Sequence, residues 1–275
     1  MKTAEIVSIN MAINRGDVEK RYHNLNEYLL EARPDIVSVQ EVSSDVGYTA
    51  LRATTQRLGP DYEIKYDTIY PGQENDQGAV IISRLPIRGS YPFSFSDSGN
   101  QAQVATLSIA SGKNIGLANG HLEAMPWQGA MRRRKGAELS AKLYKMHPDD
   151  QQVITIDSNS LPFYPVIRDF KSKHGFVSAY EAVHGKEPEF TYPGIPAQEL
   201  LDGEYLKPKE YRFLRTIALA RKILLIANQK LPHYTIDYIL TNRPDSPKSA
   251  HLVPTQRGLD KAFSDHLGIQ ATLSL

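Results

Sequence analysis

The sequence predicts an α/β (α+β) domain made of two sheets stacked face to face, with helices on the outside. Three observations predict it. Eight short apolar runs rich in β-branched residues read as buried strands, helical patterns separate some of them, and others follow one another directly, as in hairpins. The chain has 275 residues, of which 41% are hydrophobic and 23% charged, enough for one large soluble domain with a sizeable core. There is no fixed-period repeat and no low-complexity tract, so 1–275 reads as a single domain.

The predicted strands are Ile6–Ile9, Ile36–Val39, Ala79–Ile82, Val104–Ile109, Ile115–Ala118, Val153–Ile156, Ile236–Leu240 and Ile269–Leu273. Val18, Tyr22, Leu25 and Leu29 recur at helical steps and line one face of a helix. That helix ends before Arg33-Pro34, because the residue ahead of a proline avoids the helical region. Ala130–Met146 reads as a second helix and Pro162–Lys173 as a shorter one. A segment rich in Lys, Arg, Leu and Ala, at about 197–231, breaks the rhythm and reads as a helical insertion, a lid or partner surface.

Charge narrows the function classes. With 32 basic and 31 acidic side chains the net charge is +1, so the general basic excess of a protein that tracks along nucleic acid is missing. The basic run Arg132-Arg133-Arg134-Lys135 reads as the solvated face of a helix. With no cysteine, thiolate nucleophiles, disulfides and zinc–sulfur sites are excluded. The N-terminus runs straight into a strand without a signal-peptide pattern, and Ile217–Ala227 is interrupted by Arg221 and Lys222, too short for a membrane span. The default expectation is a cytoplasmic protein.

The informative pattern is what stands at the strand ends. Asn10 follows Ile6–Ile9, Gln40-Glu41 follow Ile36–Val39, and His121 follows Ile115–Ala118. Asp157-Ser158-Asn159 follow Val153–Ile156, Asp237 follows Ile236, and Ser264-Asp265-His266 precede the last strand. Each has a bland reading. Asn10 is a turn former, Glu41 a surface carboxylate, His121 a structural histidine, and Asp157 and Asn159 are helix caps. Asp237 is harder to set aside, since a carboxylate inside an apolar strand needs a partner.

Together they supply what magnesium-assisted phosphoryl transfer needs. Glu41, Asn10 and Asp265 offer the carboxylate and amide oxygens that a hard ion such as Mg²⁺, or Mn²⁺ in its place, prefers. Asp157 can orient an attacking water or accept its proton. His121, His266 and Asn159 can donate to phosphoryl oxygens as charge builds, and Asp237 can partner a protonated His266. No nucleophilic serine motif, phosphate-cradling glycine loop or dinucleotide fingerprint competes.

The motifs Ser8-Ile9-Asn10, Val39-Gln40-Glu41-Val42, Asn119-Gly120-His121-Leu122-Glu123-Ala124, Asp157-Ser158-Asn159-Ser160, Thr235-Ile236-Asp237-Tyr238-Ile239 and Ser264-Asp265-His266-Leu267, with Gly78–Pro86, stand in the order of a known superfamily. The chain resembles the endonuclease/exonuclease/phosphatase, or DNase I-like, superfamily over residues 6–273. The resemblance implies a four-layer α-β-β-α sandwich of two mixed or antiparallel sheets, and Mg²⁺-dependent hydrolysis of a phosphate ester. It implies a metal held by Glu41 with Asn10 and Asp265 near it, and a water oriented by Asp157. Asn159 and His121 would bind the phosphate, and His266 paired with Asp237 would stabilise the transition state; the substrate-binding residues beyond these stay unassigned. Residues 157–191 look most like the carbon-catabolite-repressor-type deadenylases and nocturnin. The Val-Gln-Glu-Val and His-Leu-Glu-Ala motifs resemble the 5′-tyrosyl-DNA phosphodiesterase. The chain departs from the pattern at Ile156, where glycine is usual, and at Ser158, where a bulky residue is usual. Glu123 and Met125 stand where nocturnin-like dinucleotide phosphatases carry basic residues.

The expected function is hydrolysis of a phosphodiester in a nucleotide or at a nucleic-acid end. The enzymatic alternative is a phosphatase or phosphodiesterase of a small molecule or lipid headgroup, such as a phosphoinositide or sphingomyelin, which the near-neutral charge suits. An alternative of another class is a catalytically inactive binding scaffold.

Overall fold

The computed structural model describes residues 3–12, 17–70, 77–96, 101–109, 112–124, 126–192, 234–253 and 263–275; the expected insertion at 197–231 lies outside them. In chain order the elements are β1 (Thr3–Asn10), α1 (Val18–Ala32), β2 (Ile36–Ser43), α2 (Val46–Leu58), β3 (Glu63–Tyr70), β4 (Gln77–Ser83), β5 (Ile87–Ser94), β6 (Gln101–Ser108) and β7 (Asn114–His121). A 3-10 turn (Pro126–Gln128) leads into α3 (Gly129–Met146). Then come β8 (Gln151–Asp157), α4 (Pro165–Ser172), β9 (Val177–Ser178), α5 (Ala179–His184), β10 (Asp237–Thr241), β11 (Pro247–Val253) and β12 (Gly268–Ser274).

The strands form two six-stranded sheets, ordered β11-β12-β1-β2-β4-β3 and β5-β6-β7-β8-β10-β9. Each sheet contains one parallel pair, β1 with β2 and β7 with β8, crossed over by α1 and α3 respectively. Strands buried on both faces alternate between two apolar layers. Ile6, Ile36 and Ile81 point inward with Leu107, Leu117, Val153 and Ile239 of the other sheet. Their neighbours Val7, Val37, Val80 and Ile82 point outward against Tyr22, Leu25 and Leu29 of α1. Across the molecule, Ala118, Ile154, Ile156 and Tyr238 pack under Leu139 and Leu143 of α3 and Phe170 of α4. This is the expected α-β-β-α sandwich, and the double-sided burial is why its strands read as continuous apolar runs.

The differences from expectation have local causes. The third helix starts at Pro165, not Pro162, since Pro165 occupies its first turn and the residues before it form a turn closed by Tyr164 N donating to Leu161 O at 2.9 Å. Arg33 ends α1 as anticipated, but in the left-handed region (φ 48°), its carbonyl accepting from Tyr62 Oη and its guanidinium donating to Leu58 O. The sequence reading passed over α2, β3, β5, β9, α5 and β11. In α2, buried Thr54 and Thr55 send their hydroxyls back to Ala50 O and Leu51 O, so its inner face carries no apolar run. Strand β5 is a half-exposed edge interrupted by Pro92.

The basic run is not a solvated face. Arg133 and Arg134 are exposed, but Arg132 and Lys135, three residues apart on α3, turn inward and are buried. Arg132 Nη1 donates to Glu123 O at 2.9 Å, and Lys135 pairs with the Glu123 carboxylate. A charge can be buried there because Glu123, at the end of the β7 loop, supplies the partner.

Candidate active site

The predicted residues meet at one rim of the sandwich because the strand register brings them there. His121 is opposite Asp157 in the parallel β7–β8 pair, and Asp237 is opposite Asp157 in the antiparallel β8–β10 pair. From the other sheet, Asn10 ends β1 and Glu41 lies in β2, where the register with β4 shifts between Val39 and Val42. Glu41 there has φ 54°, a left-handed backbone that a non-glycine residue adopts at a cost of roughly 1–2 kcal/mol. The bulge lets one extra residue into the strand and aims its carboxylate at the rim.

Behind the rim a buried amide clasp joins the sheets. Gln40 Nε2 donates to Asn119 Oδ1 at 2.7 Å and to Ser8 Oγ at 3.2 Å. Asn119 Nδ2 donates to Val39 O at 3.2 Å and Val80 O at 3.0 Å. These residues fix β2 against β7, and so Glu41 against His121.

Asp157 Oδ2 is the centre of the arrangement. Asn10 Nδ2 donates to it at 2.8 Å, and His121 Nε2 and His266 Nε2 lie 3.7 and 4.0 Å away. Asp157 Oδ1 accepts from Asn159 N at 2.9 Å, shaping a tight turn in which Asn159 has φ 47°. Ser158, small where a bulky residue was expected, is buried in that turn with its hydroxyl donating to Ile236 O at 2.9 Å. Asn159 Nδ2 donates to Leu122 O at 2.9 Å and lies 3.1 Å from His121 Nε2. Asn10 turns its amide oxygen to Ala12 N at 2.8 Å and its nitrogen to Glu41 Oε1 at 3.0 Å and to Asp157, steering both carboxylates.

On the far side, His266 Nδ1 lies 3.0 Å from Asp237 Oδ2, and Asp265 Oδ1 is 3.9 Å from His266 Nε2. Thr191 holds this pair in place. Its hydroxyl accepts from Ile236 N and Asp237 N at 3.0 and 3.1 Å, and its carbonyl accepts from Leu267 N at 2.6 Å. The ring of Tyr192 lies on the His266 imidazole, with centroids 4.8 Å apart. Tyr192 was not among the predicted residues; its only sequence signal was that it follows residues 157–191, the segment that resembles the deadenylases.

The electrostatics divide the roles. Burial, and then the Asp237 carboxylate, push the Asp157 carboxyl up to about 6. Burial works against the His266 imidazolium, but Asp237, through charge and hydrogen bond, then Asp157 and Asp265, outweigh it and push His266 up to about 10. At neutral pH His266 is a cation.

Two groups of potential ligands lie within 4.8 Å of one another among the described residues: Glu41, His121 and Asp157, and Asp157, Asp237 and His266. The first fits a hard divalent cation, since it pairs two carboxylates with an imidazole where Asp157 is sealed from solvent and disfavoured as a lone anion. The second is occupied by its own internal ion pair. Asp265 belongs to neither group.

Among the described residues no helix is long and apolar enough to cross a membrane. No curated protein matches the sequence. Solved structures do match. A protein of the endonuclease/exonuclease/phosphatase family from Leptotrichia buccalis has a TM-score of 0.72 at 15% identity, over 99% of this chain and 100% of that one. The human nocturnin catalytic domain with bound sulfate has 0.69 at 19%, over 99% and 93%. Danio rerio TDP2 complexed with a single-strand DNA product has 0.71 at 17%, over 100% of each. At these identities the likeness is one of fold. The sequence profile of the Endonuclease/Exonuclease/phosphatase family matches residues 7–266, so the chain belongs to this family of phosphate-ester hydrolases.

Proposed function

We propose that the protein hydrolyses a phosphodiester in a nucleotide or at a nucleic-acid end, by in-line attack of water at the Asp157 rim. The observation that carries this is the convergence on Asp157 Oδ2 of Asn10, His121 and His266 from three strands or loops and both sheets. Glu41, with Asp157 and His121 beside it, would hold a divalent cation, Mg²⁺ in this reading, with Asn10 and Asp265 at its edge. When bound, such an ion neutralises charge on the phosphoryl oxygens. Asp157 orients the attacking water and takes its proton. Asn159 and His121 would bind the phosphate. His266, kept cationic by Asp237, donates to the oxygen on which charge develops, and Tyr192 and Thr191 keep its ring in that attitude.

The near-neutral net charge of +1 favours a second reading, a small-molecule or lipid-headgroup ester. Hydrolysis of end-labelled oligonucleotides, phosphoinositides and simple phosphomonoesters, each with Mg²⁺ and with EDTA, separates the two. Mg²⁺-dependent release of nucleotides is the expected result; turnover of phosphoinositides alone would replace the first reading with the second, and no turnover of any ester would leave neither standing.

A further inference from the structure

Asn159 stands in a turn outside the sheet. Strand β8 ends at Asp157, and Ser158, Asn159 and Ser160 then bear on Thr235 and Ile236, just ahead of β10. Ser158 joins the two segments through its backbone N–H and its hydroxyl, which both donate to Ile236 O, at 2.8 and 2.9 Å. A second contact comes from Tyr238. Its hydroxyl lies 3.0 Å from Ser160 O and 2.9 Å from Thr235 O, and its one proton serves both carbonyls. Asn159 is thus tied on either side. Its own Nδ2 donates to Leu122 O at 2.9 Å, and its backbone keeps φ 47°, a region that a residue other than glycine holds only when its surroundings fix it.

The place of Tyr238 follows from strand register. It is opposite Ile156 in the antiparallel β8–β10 pair, and Ile156 is opposite Gly120 in the parallel β7–β8 pair. Ile156 and Ser158 are the two positions at which the turn departs from the family pattern. Ile156 and Tyr238 share the apolar layer under α3 and α4, where the Tyr238 ring is fully buried. Both bonds of its hydroxyl are buried too, so neither carbonyl can turn to water instead, and a buried carbonyl left without a donor is costly. Burial, then the carboxylates of Glu187, Asp237 and Asp157, push the Tyr238 hydroxyl well above its ordinary value, so it stays a donor.

We propose that Tyr238 is a positioning residue, whose hydroxyl bridges Ser160 O and Thr235 O and so fixes the turn that presents Asn159 to the phosphate. The inference rests on the phosphoesterase reading of the rim, in which Asn159 binds that phosphate. Tyr238 itself touches no reacting atom. It acts through the backbone one residue beyond Asn159, and displacing a binding group by a fraction of an ångström is enough to slow a reaction that depends on its alignment.

Tyr238→Phe removes the hydroxyl and keeps the ring. With bis(p-nitrophenyl) phosphate and Mg²⁺, kcat should fall roughly 10- to 100-fold while KM stays within about twofold. The same change made in Asn159→Ala should have little further effect, because the group it positions is gone. Tyr62→Phe is the matched control. The Tyr62 hydroxyl also bridges two carbonyls, Arg33 O and Pro34 O, each at 3.1 Å, but ahead of β2 and at the end opposite Glu41. Its loss should weaken the fold in urea as Tyr238→Phe does and leave kcat unchanged. Without substrate, the side-chain amide NMR signal of Asn159, identified by its disappearance in Asn159→Ala, should move in Tyr238→Phe and stay in place in Tyr62→Phe. An unchanged kcat or an unmoved amide signal in Tyr238→Phe, an equal fall in Tyr62→Phe, a full further fall in the Asn159→Ala background, or failure of Tyr238→Phe to fold would overturn the proposal. An amide signal that moves as expected in a protein that hydrolyses no ester would retain the positioning and reject the catalytic reading.

Discussion

A carboxyl sealed from water beside Asp237 keeps its proton to about pH 6, and any cation bound at Asp157 must compete with that proton. The folded value is raised from 3.8, so in EDTA the contribution of Asp157 to stability is fullest below about pH 4 and is lost as pH rises through 6. Thermal unfolding in EDTA should therefore show a downward slope across that window in the native protein and a flatter profile in Asp157→Asn. Added Mg²⁺ should raise Tm more at pH 8 than at pH 5, because the proton no longer competes. His266 has the same sign in another window. Raised from 6.5 to about 10, its favourable charge is complete below 6.5 and disappears as pH passes 10. Removing its partner in Asp237→Asn should bring the alkaline limb of kcat down from near 10 toward the ordinary imidazole range. An unshifted limb would mean that His266 is not the group that must be protonated. Asp157→Ala and His266→Ala should each lower kcat by about 10²–10³ or more with an unchanged far-ultraviolet spectrum.

Between elements, polar groups buried under the rim set the geometry. Lys135 on α3 pairs with Glu123 at the end of the β7 loop, where Arg132 also holds the Glu123 carbonyl one residue from Leu122, the anchor of Asn159. Lys135→Met strands a buried carboxylate and should cost about 3–5 kcal/mol in urea unfolding, most of it recovered when Glu123→Gln is added. A double variant as unstable as the single one would show that the loss comes from packing. The sequence pointed to a surface here because four consecutive basic residues look alike until the helix has an orientation. What makes Arg132 and Lys135 differ from Arg133 and Arg134 is the position of Glu123, which only tertiary packing supplies. Gln40 and Asn119 were visible within their motifs, but their part as the clasp between sheets depends on a contact across 79 residues. By contrast, the strand-end positions of Asn10, His121, Asp157 and Asp237 were legible, since polar residues that follow apolar strands are placed at a rim by period-two burial alone. Edge strand β5 and helix α2 were not, because neither carries an apolar run.

At the scale of the molecule, three apolar layers hold the sandwich, and none of their members is a potential metal ligand. EDTA should accordingly remove activity while leaving the circular dichroism spectrum intact; collapse of the fold on chelation would show that an ion also serves the framework. The layers were predictable as layers, because runs such as Ile6–Ile9 and Val153–Ile156 are buried on both faces and can only be sandwiched.

The pairing of β1 with β12 has an engineering consequence. Thr3 lies opposite Ser274, while Asn10 sits at the other end of the same strand, roughly 23 Å away at the rise of an extended chain. Thr3 and Ser274 therefore lie side by side, remote from Asp157. A short peptide joining Thr3 to Ser274 would span only neighbouring strands and leave the reacting groups undisturbed. Fluorophores or surface tethers attached at Thr3 or Ser274 would likewise leave the Asp157 rim clear.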